Sequence, residues 1–291
     1  MTDLELESKT VKRFKTELIK TIPFFPNNKD TQKELLAQSI TSILFHYIHW
    51  ASRFIPTRCR KNIIDPNVTS DPRWRRLKKQ INYLLTKVRV GDDLTPYLSL
   101  KAHKKGYTPK ERIVSGEADS LDDKDHLLNI MGFHHFHLGE NINDKGIADR
   151  TDEVLFVNVT RDRFHVIAIF DHSVFDSSLN ENNELNTERA RLWKIADEYH
   201  SRGLPPGTVY TQGVITASGH PIHIHSITNE YSHVIDQLDS KLSDREFENA
   251  IYEETKLVKP NNNRLNWHIN GLDLGILDKA NQFFILRYGP T

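Results

Sequence analysis

Apolar residues recur at helical spacing through the first hundred positions, and the pattern then shifts towards alternation. Leu6, Val11, Phe14 and Leu18 stand among charged residues and predict a helix over 4–22, broken by Pro23 and Pro26. Asp30 is an N-cap candidate for a second helix over 31–54. Its apolar stripe holds Leu35, Leu36, Ile40, Ile43, Leu44, Tyr47 and Ile48, and Pro56 ends it. Asp71-Pro72 sets a cap before a proline at the first helical position and opens a helix over 72–88. Trp74, Leu77, Ile81, Leu84 and Leu85 share one face of it, so Trp74 reads as a core anchor. A fourth helix is expected over 95–105, closed by Gly106.

Beyond Tyr107-Thr108-Pro109 the composition changes, and 113–123 reads as a linker or exposed loop. Alternation then predicts strands in the run Gly132 to Gly139, at 154–159 and at 164–170, the last two joined as a hairpin by Thr160 to Arg163. Asn186 caps a helix over 187–201 that ends at Gly203. A second hairpin is expected from 209–216 and 222–228, turning at Ser218-Gly219-His220-Pro221. Ser243-Asp244-Arg245-Glu246 matches a capping box, and 265–269 and 283–288 are the last strands. The fold class expected is α+β: a helical basic region over 1–112, then an α+β domain over 113–291 with a mostly antiparallel sheet and flanking helices.

Composition adds bounds. The chain has 291 residues, 37% hydrophobic and 27% charged, enough for a real core, and no apolar run nears the ~20 residues of a membrane span. The polar, acidic first residues do not read as a secretory signal, and the single cysteine, Cys59, excludes an intrachain disulfide and a cysteine-rich zinc module. A cytoplasmic location and no membrane partner are the expectation.

The formal net charge is zero, yet Arg53 to Arg112 holds 16 Lys and Arg against 5 Asp and Glu. Such an excess suits a polyanion, with RNA the preferred partner, or a basic face that docks on acidic parts of the same chain. Arg53, Arg58, Arg60, Arg73, Arg75, Arg76, Lys78 and Lys79 are the candidate nucleic-acid-binding residues, with Trp50 and Trp74 interleaved.

Candidate chemistry centres on Phe133-His134-His135-Phe136-His137-Leu138. In a strand, His135 and His137 share a face with Phe133, while His134 faces the other way with Phe136 and Leu138. His223 and His225 repeat the spacing in the expected second hairpin, and His165 and His172 flank the central strand on opposite faces. Two histidines can take a proton from a nucleophile and return one to a leaving oxygen while arginine stabilises the phosphorane charge. His135, His137, His223 and His225 are the candidate catalytic histidines, with Arg161 and Arg163, and beside them Arg150 and Arg287, as the cations. This chemistry needs no cofactor. The alternative sets a divalent metal at His135 and His137 with a carboxylate from Glu140, Asp171 or Glu230, giving a metal-dependent hydrolase or oxygenase. Histidines in a half-buried sheet also serve packing and hydrogen bonding alone.

Known histidine motifs narrow the field. Gly139 and Ile227 stand where a histidine-triad hydrolase has its third histidine, and His137 and His225 stand where a 2H phosphoesterase has its hydroxyl. Asp125-His126-Leu127-Leu128, the histidine-rich strand, Asp152 to Val157 and His165 to His172 resemble the central antiparallel strands of the RelE-like bacterial toxins over about residues 126–200. The resemblance implies RNA cleavage by basic and histidine side chains and carries over no single catalytic residue. The function expected is an RNA-directed toxin or bacterial defence effector, with an inhibitory protein as a possible further partner. A non-catalytic protein that binds nucleic acid or a partner is the remaining alternative.

Overall fold

The computed structural model describes residues 7–99, 106–119, 125–211, 213–216 and 219–289. In chain order these form α1 (Lys9–Thr21), α2 (Lys29–Ala37), α3 (Ile40–Ala51), β1 (Lys61–Ile64), α4 (Pro66–Thr69), α5 (Trp74–Val90), α6 (Lys110–Val114), α7 (His126–Met131), β2 (Phe133–His137), β3 (Glu153–Val159) and β4 (Arg163–Asp171). Then follow α8 (Thr187–Ser201), α9 (Ile222–Leu238), α10 (Arg245–Thr255), β5 (Asn266–Asn270), β6 (Asp273–Leu277) and β7 (Phe283–Arg287). The fold is α+β, and among the described residues no helix is long and apolar enough to cross a membrane.

The chain divides into two compact units. The helical stretch over 1–112 does not stay together: residues up to Ser52 belong to one unit, and Arg53 onwards to the other. The first unit also takes 106–119 and 222–289. Its helices bury Phe14, Leu18, Ile43, Leu44, Ile48, Tyr231 and Val234 with Trp267, Leu274 and Ile276 of an antiparallel sheet ordered β5-β6-β7. The Trp267 indole donates to Asp239 (2.8 Å), which also accepts from Thr10, so the one polar atom of this buried ring is paired.

The second unit holds a four-stranded sheet ordered β1-β4-β3-β2. The β1 and β4 strands run parallel; the other pairs are antiparallel. One face packs on α5 through Phe136, Leu138, Leu155, Val157, Phe164 and Val166 against Leu77, Ile81 and Leu84. The other packs on α7 and α8 through Phe133, Val154, Phe156, Ile167 and Phe170 against Leu127, Leu192, Ile195 and Ala196. Trp74 sits half-buried against the α5 side, as its helical position predicts.

Several expectations are corrected. The helix expected over 31–54 is two helices, because Ser39 caps a new one by accepting from the Ser42 N–H (3.2 Å), and Asn28, not Asp30, caps the first. Only Thr95–Tyr97 of the expected fourth helix forms a 3-10 turn, and 100–105 lie outside the described residues. Part of the expected linker, Lys110–Val114, is helical. The second hairpin is absent: 222–228 opens α9. Ile222 and Ile224 alternate locally, but the buried set Ile224, Thr228, Tyr231, Val234 and Ile235 has the helical period. Before it, the Thr216 N–H donates to the His220 carbonyl (2.9 Å) and the Gly219 N–H to the Thr216 carbonyl (2.8 Å); Ser218 of the expected turn lies outside the described residues. The unexpected β6 carries Gly275, where any Cβ would lie 2.2 Å from the Phe284 carbonyl oxygen. A glycine required by close backbone approach weakens the strand pattern that alternation detects.

Candidate functional site

Gly132 makes the histidine strand possible. It ends α7 at φ 68°, a backbone region that only glycine enters freely, and its N–H donates to the Leu128 carbonyl (2.8 Å). The chain reverses there into β2, whose His134, His135 and His137 lie opposite Val157, Phe156 and Val154. His135 and His137 therefore share the face covered by α8, and His134 lies on the α5 face, as the alternation predicts.

Four polar residues, Asp125, His172, Arg150 and Thr151, gather at His135 and His137. The His135 Nδ1 lies 3.7 Å from an Asp125 carboxylate oxygen, and its ring packs 4.8 Å from Phe175 and stacks on Phe156 at 6.0 Å. The His137 and His172 ring centroids are 5.5 Å apart. Arg150, held by a bond to the Leu98 carbonyl (2.9 Å), is close enough for its charge to act on both buried histidines. Thr151 pins the end of β2 by accepting from Leu138 N–H (3.0 Å) and donating to the Glu153 carbonyl (2.6 Å).

The electrostatics hold both rings neutral. Burial pushes the His135 pKa down; Asp125 opposes this, and Arg150 and His172 add to it. Burial, Arg150, His135 and His172 push His137 down to about 3, against a smaller pull from the Thr151 backbone. The Nδ1 of each ring is buried without a hydrogen-bond partner. An unpaired buried polar atom costs about 1–3 kcal/mol, so the fold carries this pair at a cost. Packing alone would favour leucine or phenylalanine at both positions.

The signs give a prediction. Above pH ~6.5 folded and unfolded chains both keep these rings neutral, and their contribution is fully present. Below it the unfolded chain binds protons that the fold refuses, so stability falls as pH drops towards 3. Melting followed from pH 7 to pH 4 should show a decline in Tm that is shallower in a His137→Leu variant. Parallel declines would contradict the burial of a neutral imidazole.

The other candidates lie elsewhere. Arg161 and Arg163 belong to the Thr160–Arg163 turn, at the end of the β3–β4 hairpin opposite to His137 and His172, so Arg150 takes the place expected of them. His223 and His225 are in the first unit on α9, where a separation of two residues turns the side chains by about 200°. His223 is exposed, and the half-buried His225 packs 4.5 Å from Phe45. Arg53 and Arg60 are buried. Arg73 is bound by Asp71 and Glu188, and Arg76 by Glu153. Arg75, Lys78 and Lys79 are exposed on α5, a helix without an acidic residue; Arg58 is half-buried. Lys79 comes within 3.8 Å of Glu140.

For the metal alternative, Asp171 caps the 3-10 turn at His172–Phe175 through Ser173 (2.9 Å), and Glu230 pairs with Arg287 (2.8 Å) in the first unit. Among the described residues no three His, Cys, Asp or Glu are arranged to hold a metal ion.

Set against models of known protein families, curated proteins and solved structures, the chain matches none. The site therefore stands on its own geometry.

Two members of it, Asp125 and His172, were not assigned to it by the sequence pattern. His165 and His172 are expected on opposite faces, yet His165 packs 5.4 Å from Tyr199 of α8 and His172 packs on His137. A bulge in β4 opposite Phe156 and Val157 inserts Ile167 and reverses the alternation. His165 belongs to a separate cluster, with its Nε2 3.6 Å from the buried Asp65, which also accepts from Arg202.

Proposed function

We propose that this protein is an RNA-directed toxin or defence effector that cleaves RNA by histidine acid–base chemistry. The observation that carries the reading is the grouping of Asp125 and His172 about His135 and His137, with Arg150 close enough for its charge to act on both buried rings. With Nδ1 of His135 turned to Asp125, Nε2 is the atom left to take the proton of a ribose 2′-hydroxyl, and the Asp125 charge favours its uptake. The 2′-oxygen then attacks the adjacent phosphorus. Arg150 stabilises the charge that develops on the phosphoryl oxygens. His172, exposed beside His137, returns a proton to the departing 5′-oxygen. His137 stays neutral next to Arg150 and accepts a hydrogen bond from the substrate.

A polyanionic substrate fits the rest of the unit. Arg75, Lys78 and Lys79 present exposed cations along α5, and Arg76 and Lys79 reach Glu153 and Glu140, which flank the strand ends beside Thr151 and His137. Such contacts attract RNA through its phosphates whatever its sequence. The resemblance of residues 126–200 to RelE-like toxins, read from the sequence alone, favours RNA over other polyanions. Incubation of RNA with wild-type protein and with a His135→Ala/His137→Ala variant tests the reading: cleavage by the first alone is expected, and equal cleavage or none by both would overturn it.

A further inference from the structure

A second cationic site lies at the far end of the same hairpin. Arg60 is 4% exposed and directly precedes β1. Its Nε donates to the Thr160 carbonyl (2.9 Å) and its Nη1 to the carbonyls of Pro56 (2.9 Å) and Arg58 (3.3 Å). Its Nη2 is buried and has no acceptor. Among the described residues, the charged groups that act on it are two further arginines, Arg58 and Arg161, both half-buried. Burial and the repulsion of these two bring the Arg60 pKa down to about 10. A buried guanidinium with a free N–H and cationic neighbours is costly unless an anion completes it. The carbonyls around it fix the guanidinium plane and leave the two N–H groups of Nη2 unspent.

We propose that Arg58, Arg60 and Arg161 form a binding site for a phosphate group, with the unpaired Nη2 of Arg60 as its innermost donor. A phosphate oxyanion suits the site because it offers several acceptor oxygens and up to two negative charges to planar donors. The inference uses none of the residues of the histidine site and stands whether or not RNA is cleaved there. The phosphate is either a free ion or the end of a nucleic acid strand. From the register, the Arg161 turn lies five positions along the hairpin from Phe156, opposite His135, or roughly 17 Å at ~3.3 Å per residue.

Equilibrium titrations with inorganic phosphate at matched ionic strength test it. Wild-type protein should bind saturably, and Arg58→Gln and Arg161→Gln should each weaken binding about tenfold or more, the worth of one charge-assisted hydrogen bond. Both side chains are half-buried, so these variants should fold, as a cooperative melt of each would show. Single-stranded RNA pentamers with and without a 5′-phosphate separate the sources. Tighter binding of the phosphorylated pentamer than of inorganic phosphate assigns the site to a strand end, and equal affinity assigns it to the free ion. No phosphate-specific binding by wild type, or unchanged affinity in both variants, would overturn the proposal.

Discussion

Replacing Asp71 by alanine should lower the stability of the second unit by about 3–5 kcal/mol, a fall in Tm of roughly 6–20 °C. The Asp71 side chain is 2% exposed and accepts from the Arg73 backbone N–H (2.9 Å), Arg73 Nε (2.9 Å) and Nη2 (2.9 Å), and Arg191 Nη2 (2.8 Å). Burial alone would raise its pKa, but the Arg73 hydrogen bonds and the charges of Arg73 and Arg191 hold it below the usual carboxylate range. Both guanidiniums also reach Glu188 and the Ile169 carbonyl, so this network ties α5 and α8 to β4. Without Asp71, the two guanidiniums keep Glu188 and, 3.8 Å from Arg73, the more exposed Asp171, but lose the carboxylate that binds both directly. Because the cost arises from the stranded cations, Asp71→Ala with Arg191→Met should lose less than the sum of the single losses. Additive losses in chemical denaturation would show that the network does not act as a unit.

The His135→Ala/His137→Ala variant should cleave RNA about 10²–10⁴-fold more slowly than wild type, the usual worth of positioned proton transfer. A group that acts only in the transition state lowers kcat and kcat/KM together, as loss of His135 should, while loss of the hydrogen bond that His137 accepts from the substrate should raise KM as well. Both rings are largely buried, and their removal also leaves cavities. His172→Ala avoids that ambiguity, because His172 is exposed. It should lose cleavage with little change in Tm. Full activity in His172→Ala would remove the proton donor from the scheme.

The limits of sequence pattern are physical ones. The facing of His134 against His135 and His137 follows from a two-residue period, and β2 is regular enough to obey it. The same reasoning fails for His165 and His172 because the inserted Ile167 has no signature in an unbroken apolar run. His223 and His225 read as a strand pair only within a short window; the buried residues from Ile224 to Ile235 have a helical period that a longer window reveals. Local charge density pointed to a basic face, but Arg53 and Arg60 are inside and Arg73 is spent on Asp71. Asp71 and Glu188 lie far apart in sequence and meet only in the fold, so no local count of charge anticipates their pairing with Arg73 and Arg191. Asp125 joins the site for a local reason: it caps α7, whose reversal at Gly132 brings β2 back beside it.

The most direct test of the central claim is the chemistry of the RNA ends that wild-type protein leaves in the presence of a strong metal chelator. Attack by the 2′-oxygen, driven by His135 and completed by His172, leaves a 2′,3′-cyclic phosphate and a 5′-hydroxyl. Those ends, formed undiminished in chelator and absent with the His135→Ala/His137→Ala variant, are the result predicted. Ends bearing a 3′-hydroxyl and a 5′-phosphate, or cleavage abolished by the chelator, would contradict it.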